Sequence, residues 1–397
     1  MKTICFYLNV HQPIRLRTYR FFDIGASDYY FDDYQNRYIV RRMSERSYLP
    51  MNNLLMQLIE KYEGKFKLAL SISGVTLDLF EKYAPDTLES FKRLVATGCV
   101  EIVGETYAHS FASLFKKAEF ERQVKLQNQA LKKHFGVKPK VFCNSELVYS
   151  DEIGAMVADL GFKAVITEGA KHILGWKSPN FVYANAINDK LAVLLRNYSL
   201  SEDIVMRFSN KQWSEYPLTA EKYVSWMLAT GEGQQCINLC MDYEAFGDHH
   251  TADTGIFDFM QALPQQVFNS QQLQFGTPSE VVAQNKPVAA IHVPLPISWI
   301  DEERALTRWT VNDLQRDAFD KLYNLQIPLR SKNQTLQEAY MAMQDCSNFY
   351  YMNMGNLAVD MTNKYTNPYG SAYQAYINYM NIISDMQIRT GKTRKKD

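Results

Sequence analysis

The sequence predicts an α/β fold of the barrel or near-barrel type, followed by a helical segment. Short apolar stretches alternate with helical patterns through the first three quarters of the 397 residues. Those stretches are apolar on both faces, as strands are when helices cover a parallel sheet. Polar residues recur just after many of them, and no Gly-x-Gly-x-x-Gly turn follows the first. That pattern favours a barrel over a doubly wound sheet.

The first strand is read at 4–10. A tyrosine-rich, loop-like insertion covers 15–49, and a helix starting near Pro50 carries Leu54, Leu55, Leu58, Ile59 and Tyr62 at helical spacing. Strand 66–71 follows. Pro85-Asp-Thr opens a helix that ends before Gly98, and strand 100–103 returns. A helix over 116–135 stops at Gly136 before strand 141–143; another over 151–160 stops at Gly161 before strand 164–167. Strands at 191–195 and 236–241 enclose a second insertion, 197–230, with helices near 202–208 and 220–229. A last strand is read at 289–292. After Trp299 strands vanish, and 310–325, 334–343 and 373–386 read as helices. The chain thus divides into a β/α barrel domain, 1–300, and a helical domain, 301–397, packed on it.

Bulk composition narrows the function. The 43 basic and 43 acidic residues cancel, with no asymmetry that would suggest nucleic acid, and the basic 392–396 end reads as a solvated tail. No apolar run reaches the length of a membrane span. The N-terminal lysine and apolar run lack a cleavage pattern and read as a strand, not a signal peptide. Six cysteines sit mostly inside apolar runs, as small core hydrophobes and not a disulfide frame, which gives a cytoplasmic expectation. The 25 tyrosines and 22 phenylalanines include many in loop-like stretches, where a ring can stack while its hydroxyl stays wet. Such surfaces suit sugars. The balanced charge also allows a homo-oligomer.

Chemistry-bearing residues cluster at strand ends. His11 follows the first strand, His109 the third, Glu146 the fourth, and Asp242 and Glu244 the strand at 236–241. In a barrel these ends converge on one face, and two carboxylates there are the minimum equipment for splitting a glycosidic bond. Each residue alone has a plainer role as a cap or a satisfied structural group. Glu146 fits capping poorly, because Ser150-Asp-Glu is the better helix start. A catalytic metal is not expected: Ser113, not histidine, stands four after His109, and the adjacent His249 and His250 point apart. No Gly-x-Ser-x-Gly elbow or phosphate-binding loop is present, and no cofactor is expected.

Five ordered stretches resemble glycoside hydrolase family 57. His11-Gln12-Pro13 is similar to its first motif, and Gly98-Cys-Val-Glu-Ile-Val-Gly104 to its second, with His109 just beyond. Phe142-Cys-Asn-Ser-Glu-Leu-Val-Tyr149 resembles the third, Asp242-Tyr-Glu-Ala-Phe-Gly247 the fourth, and Ile297-Ser-Trp-Ile-Asp-Glu-Glu-Arg304, with Trp309 and Asn312, the fifth. The resemblance implies a distorted, incomplete (β/α)7 barrel followed by helices. It also implies α-amylase-like, retaining cleavage of α-1,4-glucans such as starch, glycogen or maltooligosaccharides. Glu146 would be the nucleophile and Asp242 the general acid/base. His11, Gln12, His109, Glu244, Phe246, Trp299, Asp301, Arg304 and Trp309 would contact substrate. Ile14, Ile300 and Val311 depart from the residues common at those positions and would reshape sugar subsites. Three other readings stay open: a 4-α-glucanotransferase with the same acid pair, a metal-dependent carbohydrate deacetylase, and a non-catalytic glucan-binding protein plugged by Tyr149 or Phe246.

Overall fold

The computed structural model describes residues 1–300, 303–325, 333–355 and 366–393. Among them ten strands join in one sheet: β1 (Lys2–Val10), β2 (Leu68–Ile72), β3 (Val100–Ile102), β4 (Val141–Cys143), β5 (Ala164–Glu168), β6 (Val182–Asn185), β7 (Ala192–Arg196), β8 (Cys236–Asp242), β9 (Leu273–Phe275) and β10 (Ala290–Ile291). Seven of these form a ring. From β1 it runs through β2, β3, β4, β5, β7 and β8 back to β1, with every neighbour parallel.

Two seams in the ring are thin. β3 meets β4 through a bridge at Gly104 and Phe142, where the Gly104 N–H donates to the Val141 carbonyl at 2.9 Å and the Gly104 carbonyl accepts from the Cys143 N–H at 2.8 Å. β7 meets β8 at the single pair Arg196–Asn238. The fold is therefore the open, barrel-like sheet that was expected, with helices behind it. β6 and β10 extend the sheet outside the ring, β6 antiparallel to β7, and β9 pairs with the start of β1. Both β6 and β9 lie outside the strands read from the sequence. The helix Gly74–Tyr83 was also missed, since it starts one residue past β2 with no breaker between them.

The period-two alternation of strands sorts the core. Cys5 and Tyr7 of β1 point into the ring with Ala69, Cys143, Ile166, Leu194, Cys236 and Cys240. Ile4, Phe6, Leu8 and Val10 face outward into a core that includes Leu55 and Ile59 of the helix Leu49–Lys61 and Met260 and Leu263 of the helix Ile256–Asn269. All six cysteines are free and buried. A separate core covers the β4–β5–β7 side, where Phe142 and Val165 share a cluster with Trp309, Phe319, Phe349 and Tyr379 of the C-terminal region. The Phe319 and Phe349 rings stack 3.5 Å apart. The first insertion enters this core through Leu16, Tyr19 and Tyr30, and the Tyr30 hydroxyl donates to Asp385 of the last helix, Ala372–Thr393. No described helix is long and apolar enough to cross a membrane.

Gly247 ties the first insertion to the segment after β8. Its φ is +106°, and a Cβ there would lie 2.0 Å from the Arg46 carbonyl oxygen. Gly247→Ala combines backbone strain with a clash against main chain and is expected to cost about 2–4 kcal/mol. Chemical denaturation measures this, and an unchanged midpoint would refute the contact.

Candidate active site

The C-terminal ends of the ring strands carry a small pocket. Asn9 and Asp242 are register partners at the ends of β1 and β8, and Asn9 Nδ2 donates to Asp242 Oδ1 at 3.3 Å. Across the pocket, Glu146 stands in a single turn, Ser145–Leu147, just past β4. Glu146 and Leu147 both have φ of +55°, and His109, which follows β3, has φ of +50°. Side-chained residues rarely adopt this left-handed region, and here it aims the Glu146 and His109 side chains at each other. Glu146, Asp242, His109, Glu105 and Trp299 all line the pocket. Its cavity is about 20 Å³, room for about one water.

Donors converge on the Glu146 carboxylate. His109 Nε2 lies 3.0 Å from Oε1 and Trp299 Nε1 donates to Oε2 at 2.7 Å, while the Cys346 thiol is 3.6 Å from Oε1. The other nitrogen of His109, Nδ1, is 2.8 Å from Glu105 Oε2. His109 is thus held between two buried carboxylates. Burial disfavours its charge, but the Cys346 sulfur and the hydrogen bonds to Glu105 and Glu146 outweigh that and raise its pKa well above the usual value. Burial and the charge of Glu146 push the Cys346 thiol up as well. An imidazolium donating from both nitrogens satisfies both acids.

A second histidine backs the first. The His11 ring stacks on His109 with centroids 3.9 Å apart. Its Nδ1 is 2.8 Å from Ser73 Oγ, and its Nε2 is 3.1 Å from Asp345 Oδ2. Burial alone would raise the Asp345 carboxyl; the charge and hydrogen bond of His11, the charge of His109 and the Ser347 N–H outweigh it and hold it below the ordinary value. Asp345 and Cys346 come from the C-terminal helices, and the Cys346 N–H donates to the His109 carbonyl at 3.1 Å.

A sequence model of the family described as "Glycosyl hydrolase family 57" matches residues 5–294. A "Putative alpha-amylase" of Methanocaldococcus jannaschii is 37% identical over 402 residues, covering 97% of this chain and 84% of that protein. The chain belongs to glycosyl hydrolase family 57. Its fold is also similar to the crystal structures of the α-amylase AmyC from Thermotoga maritima and the 4-α-glucanotransferase from Thermococcus litoralis. The first has a TM-score of 0.65 at 16% identity, covering 98% of this chain and 94% of that one. The second has a TM-score of 0.61 at 15% identity, covering 88% of this chain and 50% of that one, so this chain matches half the length of the transferase.

The remaining residues of the family-like stretches fall in different places. Gln12 and Glu244 form a buried network beside the pocket: Gln12 Nε2 donates to Glu244 Oε1 at 3.1 Å, and the Tyr48 hydroxyl donates to the same oxygen. Phe246 is fully buried in the outer core, 6.1 Å from Phe6. Trp309 is fully buried beside Phe111 and Tyr350 in the C-terminal core. Arg304 donates to the Trp299 carbonyl and pairs with Glu202, which fixes the segment that carries the Trp299 indole. Asp301 lies outside the described residues. Tyr149 does not enter the pocket; its hydroxyl accepts from Asn185 Nδ2 at 2.8 Å.

Glu105, Asp345, Cys346 and Arg196 were not singled out in the sequence. Arg196, at the end of β7, pairs with Glu168 at 2.8 Å and lies 5.2 Å from the Trp299 ring. A polar residue directly after Gly104 was the available signal for Glu105. Asp345 and Cys346 gave none. Among the described residues, His109, Glu146 and Cys346 are the group with metal-ligand spacing, their ligand atoms within 4.8 Å of one another. Those atoms are already turned to each other. His250 is a structural group: burial and His249 lower its pKa to about 4, and Nε2 meets the Ile204 carbonyl at 2.8 Å.

Asp345 gives a pH test. Its carboxyl is lowered on folding, so its stabilisation is present above the unfolded value near 3.8 and lost as pH falls through the lower folded value. Asp345→Asn is expected to cost about 3 kcal/mol at neutral pH, with the gap to wild type closing in acid below the unfolded value. Thermal melts across pH would show it, and a gap that widens in acid would contradict the pairing.

Proposed function

We propose that this family 57 enzyme acts on α-1,4-linked glucans by a retaining mechanism, with Glu146 as nucleophile and Asp242 as general acid/base. The observation that carries the reading is the facing of these two buried carboxylates across one small pocket at the strand ends. Glu146 attacks the anomeric carbon while Asp242 protonates the leaving oxygen; Asp242 then deprotonates the incoming acceptor. The donors around Glu146 suit an ionised carboxylate and keep one oxygen fixed while the other reacts. The Trp299 indole, now bonded to Glu146, has to move for a glucosyl ring to enter, and His11 and His109 are placed to meet its hydroxyls.

In this reading the barrel domain, 1–300, supplies the acids. The helical domain, 301–397, supplies Asp345 and Cys346. The six free cysteines support a reducing, cytoplasmic setting. Transfer to a second glucan is the alternative outcome of the same first step.

Glu146→Gln is expected to lower turnover of maltoheptaose by at least about 10³-fold in a protein that still melts cooperatively above the assay temperature, although it melts below wild type because one acid on His109 is lost. Full activity in that variant would sink the assignment. With wild type, chromatography of the maltoheptaose products separates the outcomes: shorter chains alone mean hydrolysis, and longer chains mean transfer.

A further inference from the structure

The same rim of the sheet carries a second, larger cavity. Its volume is about 660 Å³, within the roughly 300–1,000 Å³ of small-ligand sites, and none of its lining residues lines the catalytic pocket. The floor comes from the segments that follow β1, β2 and β3. The walls are the insertion helix Asp33–Met43, the helix Gly74–Tyr83 and the helix Gln334–Met343.

Ring faces and preset acceptors alternate around it. The Tyr107 ring lies against Gly74, where a Cβ would come within 2.3 Å of a ring carbon, and its hydroxyl donates to Asp78 Oδ2 at 2.8 Å. The Tyr83 hydroxyl donates to Asp33 Oδ1 at 2.5 Å, and Lys82 Nζ reaches the same oxygen at 2.8 Å. Both carboxylates are therefore held in place before any ligand arrives. They do not gather as ion ligands do: no group of described residues in this cavity has metal-ligand spacing. Glu338 adds a further acid on the opposite wall. Asp33, Asp78, Glu81 and Glu338 outnumber Lys82 and Arg122 on the lining, which disfavours anionic ligands, while carboxylates between aromatic faces suit a neutral polyhydroxylated ring, whose C–H face stacks and whose hydroxyls donate.

We propose that this cavity is a second, non-catalytic site for a neutral glucan chain, holding the polymer on the enzyme beside the catalytic pocket. It rests on the α-glucan reading above for the identity of the sugar. The site would matter for long chains and be silent for substrates that fill only the catalytic subsites.

The test uses Asp78→Ala and Glu338→Ala, singly and together, both at exposed positions on the cavity wall. Mobility in gels containing amylose reads binding, and kinetics with amylose and with maltotriose read its consequence. Retardation is expected to weaken and the KM for amylose to rise about 3- to 10-fold, the size of a lost hydrogen bond. Kinetics on maltotriose stay at wild-type values, which also certifies the fold. The gels are repeated in a Glu146→Gln background, where binding is read without turnover. Retardation and amylose KM unchanged in the double variant overturn the second site, even with full wild-type activity. Cavity-dependent retardation in a protein that turns over no α-glucan upholds the site and overturns the catalytic reading alone.

Discussion

Everything at the candidate site hangs on one buried cation between two acids. Glu105, His109 and Glu146 form a chain at 2.8 and 3.0 Å with little solvent to dilute its charges. An uncompensated carboxylate at either end would be costly to bury. With His109 protonated, the charge on Glu146 is met without a metal ligand or a lysine. The left-handed backbone at His109, Glu146 and Leu147 is the local strain that this alignment requires, and the packed surroundings hold it there.

His11 and Asp345 extend the same logic by one layer. The His11 ring stacks on His109 with its Nε2 3.1 Å from Asp345 Oδ2, and Asp345 comes from 334 residues further along the chain. The C-terminal helices therefore do more than cover apolar wall. They deliver a carboxylate and a thiol to the back of the pocket, beyond the residues 5–294 that the family pattern spans.

Much of this was legible in the sequence where local pattern coincides with architecture. Apolar runs marked the seven ring strands, because buried parallel strands must be apolar on both faces, and polar residues just past those runs marked Glu146, Asp242 and His109. The rest was hidden for physical reasons. β6 and β9 lie outside the ring, where β6 runs antiparallel to β7 and β9 pairs only with the start of β1. Asp345 and Cys346 sit in an ordinary helical stretch, and only tertiary packing reveals what they touch. Family resemblance grouped Gln12, Phe246 and Trp309 with the sugar contacts, whereas burial places the aromatic pair in hydrophobic cores and gives Gln12 to Tyr48 and Glu244.

The two thin seams make the ring a pair of half-shells. One shell, β8–β1–β2–β3, is backed by its own hydrophobic core; the other, β4–β5–β7, is backed by a different one. Asp242 belongs to the first and Glu146 to the second. The spacing of the two acids is thus set across two seams, at Gly104 on one side and at the Arg196–Asn238 pair on the other. The bond from His109 to Glu146 crosses the first joint like a clasp. The interior cluster that joins Cys5, Tyr7 and Ala69 to Cys143, Ile166 and Leu194 packs the two halves together across both seams.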